Sequence, residues 1–287
     1  MINSIAKVKK KKTCVRSNIL LSPFKISKSV YYSYDESRPD FDYKDYLVVK
    51  KYFDKSKSKH GIRQLRMAIE RGEKIIFNEK KISRIKKKYG LETVIRRKNK
   101  YKAFAKKKQE HETFPNLLER NFKQEKPNTV YSTDITQLNY GSKKAYVAAV
   151  KDLCTNEIVS SSTSHRIDIN LTNSAIDKVL KKLKAEDREG LMIHSDQGFH
   201  FTHVSYRTKL KNNGIIQSMS RKGNCIDNAP IESFFGHLKD LLDLKDCKNI
   251  QDIKKEVTKK INYYNHRRPQ LGLKKMPPSE YRRHINS

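Results

Sequence analysis

Three carboxylates sit in stretches whose residue types suit phosphoryl-transfer chemistry. Asp134 lies at the centre of the strand-like run Ser132-Thr133-Asp134-Ile135-Thr136. Asp196 closes the run Leu191-Met192-Ile193-His194-Ser195 and is followed by Gln197-Gly198. An apolar run ending in an acid and a glycine is how a buried strand delivers a side chain to the edge of a sheet. Glu232 follows Asp196 with 35 residues between them, in the early turns of a helix that begins around Asp227-Asn228-Ala229-Pro230. Proline suits that first turn, where its missing N–H is no loss. Hard divalent cations, Mg²⁺ or Mn²⁺, take oxygen ligands and keep waters that substrate phosphates displace. Two such ions about 4 Å apart stabilise both the attacking and the leaving oxygen of an in-line displacement. Acids converging from separate elements are what a two-ion site requires.

Taken singly, each acid also has an ordinary explanation. Asp134 could bind a local backbone group, Asp196 could simply end a strand, and Glu232 could stabilise its helix N-terminus. Asp152 and Asp227 are rival carboxylates in the same region, so spacing alone leaves the choice open. His194 reads as a satisfied strand-end histidine. Neither Ser132 nor Ser195 has a His–Asp arrangement for covalent catalysis. Lys239 follows Glu232 by two helical turns and shares its face, placed to hold a DNA phosphate. The competing reading is a solvated surface lysine.

The elements that must position these residues can be read from periodicity. Stretches 129–140, 145–153 and 157–165 read as three consecutive strands with Gly141-Ser142 and Thr155-Asn156 at the turns. A helix over 170–184 carries Leu171, Ala175, Val179, Leu180 and Leu183 on one stripe. A strand at 191–195, a helix at about 203–212, a strand at 215–219 and the Glu232 helix follow, with Phe235, Leu238 and Leu242 inward. Three antiparallel strands followed by helix–strand–helix–strand–helix make an α/β order with a mixed five-stranded sheet and flanking helices. It is the order of the ribonuclease H-like fold.

Upstream of that core, 1–57 is a polar, lysine-rich region whose one feature is the aromatic cluster Ser29–Tyr34. Residues 58–94 hold two helical candidates. The first runs from Gly61 to Arg71 with Ile62, Leu65 and Ile69 on one face. The second is capped by Asn78 and closed by Tyr89-Gly90, with Ile82 and Ile85 inward and Lys81, Arg84, Lys86, Lys87 and Lys88 outward. Two short helices with a basic second member suggest a helix-turn-helix-like DNA-binding module, with Arg84, Lys86, Lys87 and Lys88 as its contacts; a basic hairpin with a solvated face is the plainer reading. A basic linker spans 95–127, the catalytic core 128–246 and a helical C-terminal extension 247–287. Arg221 and Lys222, in the polar loop before Glu232, are further candidate DNA contacts.

Composition points to the same partner. Lys and Arg number 63 against 31 Asp and Glu, a formal net charge of +32 in 287 residues. Self-repulsion of that size disfavours a compact chain without a polyanion, and basic side chains displace counterions from nucleic-acid phosphates. A lysine-rich proteome explains many lysines but not the scarcity of acids. Cys14, Cys154, Cys225 and Cys247 lie far apart without zinc spacing, which argues for reduced thiols. No run reaches membrane-span length and the N-terminus has no apolar signal region. A cytoplasmic, nucleoid-associated protein is therefore expected.

With those residues in view, the chain resembles the OrfB transposase subunit of insertion-sequence family three, within the DDE transposase and retroviral integrase superfamily. The likeness runs from about Pro115 to Tyr281. It rests on Pro115-Asn116-Leu117-Leu118, Asp134-Ile135-Thr136, His194-Ser195-Asp196-Gln197-Gly198, Asp227-Asn228-Ala229, Glu232-Ser233-Phe234-Phe235 and Leu238-Lys239. Tyr264-Asn265-His266-Arg267-Arg268-Pro269 and Pro278-Ser279-Glu280-Tyr281 complete it. The segment from about Lys59 to Gly90 resembles the family's helix-turn-helix-like insert. The resemblance implies Asp134, Asp196 and Glu232 as catalytic metal ligands for two Mg²⁺ or Mn²⁺ ions, with Lys239 near the terminal DNA. It implies strand cleavage and joining at the element's terminal inverted repeats and in target DNA, by a homo-oligomer. Leu241 stands where many relatives carry an acid, and no leucine-zipper region or upstream helix-turn-helix is evident. A partner or fusion from an upstream reading frame is therefore expected. A stand-alone nuclease of the same fold, or a DNA-binding regulator derived from a transposase, are the other readings.

Overall fold

A computed structural model of the chain describes residues 40–94, 113–221 and 224–286. The aromatic cluster at 29–34, the charged stretch Arg96–Lys108 and Lys222 lie outside the described residues. Two compact units divide the chain between Lys51 and Tyr52. A helix the sequence did not announce, α1 (Tyr43–Lys55), runs through that division. Its weak alternation of apolar and charged residues hid it within the polar region 1–57.

In the second unit, α2 (Ile62–Glu73) and α3 (Glu79–Lys88) form as their patterns require. Leu65, Met67 and Ile69 bury one face of α2, and Ile82 and Ile85 bury that of α3. The Asn78 side chain accepts the Lys80 N–H at 2.8 Å, satisfying one of the donors that a helix start leaves unpaired. Gly90 ends the module with a φ of +65°, the left-handed conformation that glycine adopts without a side-chain penalty.

The sheet is built from β1 (Val130–Tyr140), β2 (Lys143–Asp152), β3 (Ile158–Ser164), β4 (Met192–Ser195) and β5 (Ile216–Met219), in the order β3-β2-β1-β4-β5. The first three form an antiparallel meander, while β4 and β5 run parallel to β1. This mixed five-stranded sheet with flanking helices is the expected ribonuclease H-like arrangement. Strand and helix ends fall close to those read from the sequence. A four-residue helix, α5 (Phe199–Thr202), was not foreseen.

Alternation along the strands divides the apolar residues between two cores. On one face, Tyr131, Val150 and Ile193 pack under α4 (Ile169–Lys182) and α6 (Val204–Lys211), which contribute Ile176, Val179, Tyr206 and Leu210. On the other, Leu138, Val147, Ala149 and Ile158 pack under α7 (Ala229–Leu241) and α8 (Ile250–Arg267). Phe234, Phe235 and Leu238 come from α7, and Ile253, Val257, Ile261 and Tyr264 from α8. α8, expected as part of a C-terminal extension, thus completes a core of the sheet, and α9 (Pro278–Asn286) follows it. The asparagine of the Tyr264-Asn265-His266 motif explains how α8 is held. Its Nδ2 donates to the Ile158 carbonyl at 2.9 Å and its Oδ1 accepts the Ile158 N–H at 3.0 Å.

Residues 113–127 differ from a free linker. The Met219 N–H donates to the Pro115 carbonyl at 3.2 Å and the Leu117 N–H to Ser218 Oγ at 3.0 Å, so this segment runs beside the β5 edge. Leu118 is buried with Val130 and Leu153. The helical module is also tied down. Lys59 Nζ donates to the Leu241 and Leu242 carbonyls at 3.0 and 3.2 Å, at the C-terminal end of α7. Gln64 reaches the Pro269 carbonyl at 3.1 Å, Glu70 pairs with Lys275 at 2.6 Å and Arg71 with Glu280 at 2.6 Å.

Candidate active site

The last paired level of β1 and β4 is Ser132 beside His194. Two residues further along come Asp134, still within β1, and Asp196, just past the end of β4, so the two acids stand at one level on neighbouring strands about 4.8 Å apart. Each has one oxygen fixed by a backbone donor. Asp134 Oδ1 accepts the Ile135 N–H at 2.7 Å, and Asp196 Oδ1 accepts the Gly198 N–H at 2.9 Å. A side chain at Gly198 would crowd that arrangement, because its Cβ would stand 2.8 Å from the same carboxylate oxygen.

Asp134 shares the strand face of Ser132 and Leu138, the face that α7 covers. Ser132 Oγ donates to Asn228 Oδ1 at 3.0 Å, and Asn228 Nδ2 donates to the Thr133 carbonyl at 3.4 Å. Lys151, opposite Ser132 in the antiparallel register, donates to the Pro230 carbonyl at 3.0 Å. These tethers pin the start of α7 beside the level of Asp134. Glu232 is one turn beyond Asn228, on the exposed part of the first turn, and Lys239 is half-buried two turns further along. Among the described residues, no three His, Cys, Asp or Glu side chains converge closely enough to hold a metal ion. The donor chemistry, all carboxylate oxygen, fits a hard cation at the level shared by Asp134 and Asp196.

The two rival carboxylates have other work. Asp227 is fully buried and accepts Arg120 Nε at 2.7 Å, Arg221 Nε at 2.9 Å and Arg221 Nη2 at 3.0 Å. The Arg221 N–H at 3.1 Å and Asn116 Nδ2 at 3.2 Å complete its set. Hydrogen bonds from the Arg221 guanidinium, foremost, hold its carboxyl well below the usual carboxylate range against the cost of burial. Arg221, expected at DNA, is therefore engaged in ordering the loop before α7. Asp152 is equally buried and takes the Arg282 guanidinium and the Cys154 N–H, the latter at 2.8 Å. Burial pushes its carboxyl up, with Arg282 opposing.

Lys151 is the residue that sequence reasoning missed. Its signal was a lysine inside the otherwise apolar run Ala145–Leu153. Burial, and then the charge of Arg268, lower its ammonium to about 8. His237 on α7, within 3.4 Å of Arg268, is lowered to about 4 mainly by burial. His194 is fully buried with Nδ1 2.9 Å from Ser218 Oγ, a strand-end histidine with a structural partner. On α3, Arg84, Lys87 and Lys88 lie on the exposed face, whereas Lys86 turns inward. Its Nζ lies 4.6 Å from the Phe53 ring centre and donates to Thr93 Oγ1 at 2.5 Å, and burial lowers its ammonium.

A mixed sheet that sets an aspartate in the middle of β1 level with another just past the end of β4, beside an acid-bearing helix, is the arrangement of a polynucleotidyl transferase core. The chain matches the integrase core domain family over residues 124–225 and a second integrase core domain family over residues 213–278. It is 37% identical over 270 residues to InsK of Escherichia coli (strain K12), assigned as a transposase for insertion sequence element IS150, covering 92% of each chain. It is 34% identical to an uncharacterized transposase-like protein of Haemophilus influenzae, covering 75% of this chain and 98% of that one. A transposase assigned to element IS1353 of Shigella flexneri is 29% identical over 92% of this chain but only 51% of its own length. The catalytic core of HTLV-2 integrase, solved in complex with magnesium, matches at 20% identity over 54% of this chain and 97% of that one, with a TM-score of 0.45. The chain belongs to the DDE transposases of insertion-sequence family three, which carry an integrase core domain.

Proposed function

We propose that Asp134, Asp196 and Glu232 are the catalytic acids of this transposase and that it cuts and joins DNA at the ends of its element. The observation that carries the reading is the shared level of Asp134 and Asp196 on adjacent parallel strands, with the start of α7 tethered beside them. The three carboxylates would hold Mg²⁺ or Mn²⁺ ions, which supply charge neutralisation at the reacting phosphate when bound. In cleavage, water oxygen bonds to phosphorus at the element end, the P–O3′ bond breaks and the 3′-hydroxyl takes up a proton. In joining, that 3′-hydroxyl loses its proton, bonds to a target phosphorus and expels the target's own 3′-oxygen. Lys239, on the face of α7 that carries Glu232, holds a terminal DNA phosphate. The exposed cations of α3 contribute binding to the terminal repeats. Partnership or fusion with an upstream-frame product belongs to the same reading.

The test is a labelled terminal-repeat duplex incubated with Mg²⁺. Asp134→Asn, Asp196→Asn and Glu232→Gln should each abolish cleavage and joining while DNA binding persists, because each removes a metal-binding charge but little shape. Wild-type cutting by any of the three removes that residue from the site. Hydrolysis without joining products would mark a nuclease, and neither product a regulator.

A further inference from the structure

The sheet edge farthest from β5 carries a second basic feature that the three acids do not use. Strand β3, rich in hydroxyls from Ser160 to Ser164, forms this edge and lies about 10 Å, two strand spacings, across the sheet from β1. α4 flanks it on one face and α8 on the other. Lys178 and Lys182 reach from α4 to its outer carbonyls, Lys178 Nζ to Ser161 at 2.6 Å and Lys182 Nζ to Val159 at 2.5 Å. From α8, Lys254, Lys255 and Lys259 are exposed and line one side of the helix together with Thr258 and Asn262. The two sets lie within electrostatic range of each other: burial, then the charges of Lys254 and Lys182, lower the Lys178 ammonium.

The acids of the two helices offset little of this charge, Asp252 alone acting on a lysine of the strip, Lys255. α4 contains one carboxylate, Asp177, which pairs with Lys209 on α6 at 2.5 Å. α8 contains two. Asp252 is taken up by the helix cap, accepting the Lys248 and Asn249 N–H groups at 3.0 and 3.2 Å, and Glu256 pairs with Lys260 at 3.3 Å. Like charges held on rigid helices with few counter-charges repel one another, and a polyanion relieves that repulsion. A strip of lysines beside threonine, serine and asparagine matches the groups that contact DNA phosphates, which position a duplex without reading its sequence.

We propose that this strip is a second seat for a duplex backbone, distinct from the DNA held at the acids; it rests on the chain being a DNA transposase. A transposase that joins two DNA segments must hold both at once, and a seat without base readout suits the segment whose sequence varies. The test is binding of a labelled duplex of arbitrary sequence to the full chain across a salt series. Each phosphate contact contributes about 0.9 to the slope of log affinity against log salt. Lys254→Glu/Lys255→Glu/Lys259→Glu should make the slope shallower by about 2 to 3 and weaken binding at least tenfold near 100 mM salt. The same charge change at exposed Lys123, Lys126 and Lys211 serves as the control and should alter the slope by less than half as much. A wild-type slope in the strip variant, or an equal loss in the control, overturns the proposal. Should the triple variant fail to fold, Thr258→Glu replaces it: weaker binding with a normal melting curve supports the strip, and unchanged binding overturns it. A wild-type chain that binds duplex but yields no Mg²⁺-dependent products refutes the proposed chemistry and leaves the strip standing.

Discussion

Asp227 and Asp196 are carboxylates of the same type in neighbouring loops, and their surroundings divide them. Asp227 is enclosed by Arg120, Arg221 and Asn116, whereas Asp196 is half-exposed at a strand end. Replacing Asp227 with Asn leaves the shape but removes the charge two arginines face, and should cost about 2–4 kcal/mol in urea unfolding. In the fold Asp227 stays charged at pH values where the unfolded chain, titrating near 3.9, takes up a proton. Its contribution is therefore complete above that pH and is lost as pH falls below it. The wild type should lose stability more steeply than Asp227→Asn between about pH 4 and pH 2; parallel curves would deny the ion pair its role.

At the scale of elements, the start of α7 depends on groups from β1 and β2. Asn228→Ala leaves Ser132 Oγ and the Thr133 carbonyl buried without these partners, at about 1–3 kcal/mol. Because Glu232 is one turn away, the variant should also need more Mg²⁺ for half-maximal cleavage; an unchanged Mg²⁺ requirement would show that the tether does not position the acid. Lys151 behaves differently. Folded, it gives up its proton near pH 8, whereas the unfolded lysine holds it to about 10.4. The penalty for burying its charge is complete below pH 8 and relieved as pH rises through that window, so this group makes stability increase with pH there. Lys151→Met should remove that rise and be at least as stable as wild type at pH 7, where apolar replacements of buried charges often gain stability. Urea unfolding at pH 7, 8, 9 and 10 separates the two outcomes, and a persistent rise in the variant would assign it to another group.

At the scale of the molecule, a formal charge of +32 works against the packing of both cores. Exposed charges a Debye length apart, about 10 Å at 0.1 M salt, are largely screened. The melting temperature should therefore rise between low salt and 0.5 M sodium chloride, and rise again when duplex DNA is added at low salt. A fall with salt would mean that ion pairs such as Glu70–Lys275 and Arg71–Glu280 outweigh the repulsion. That outcome is not expected of partly exposed pairs, each worth about 0–1 kcal/mol.

By itself the sequence determined the strand and helix order, because alternation at period two and apolar stripes at period 3.6 are local signals that a chain must obey to bury its surface. It also made Asp196 visible, as a carboxylate ending an apolar run, while Asp134 and Glu232 were singled out from their rivals Asp152 and Asp227 only by the motifs around them. α1 and α5 were illegible because one lacks a clean stripe and the other is a single turn. Only the tertiary structure decided that Asp152 and Asp227 belong to arginines 130 and 107 residues away in the chain, respectively Arg282 and Arg120. Only it decided that Lys86 and Arg221 are engaged within the protein, that Lys151 holds the start of α7, and that residues 113–127 and α8 belong to the core. Those facts rest on partners far apart in sequence. Periodicity carries no record of such pairings, which arise only when the folded layers bring the groups into hydrogen-bonding range.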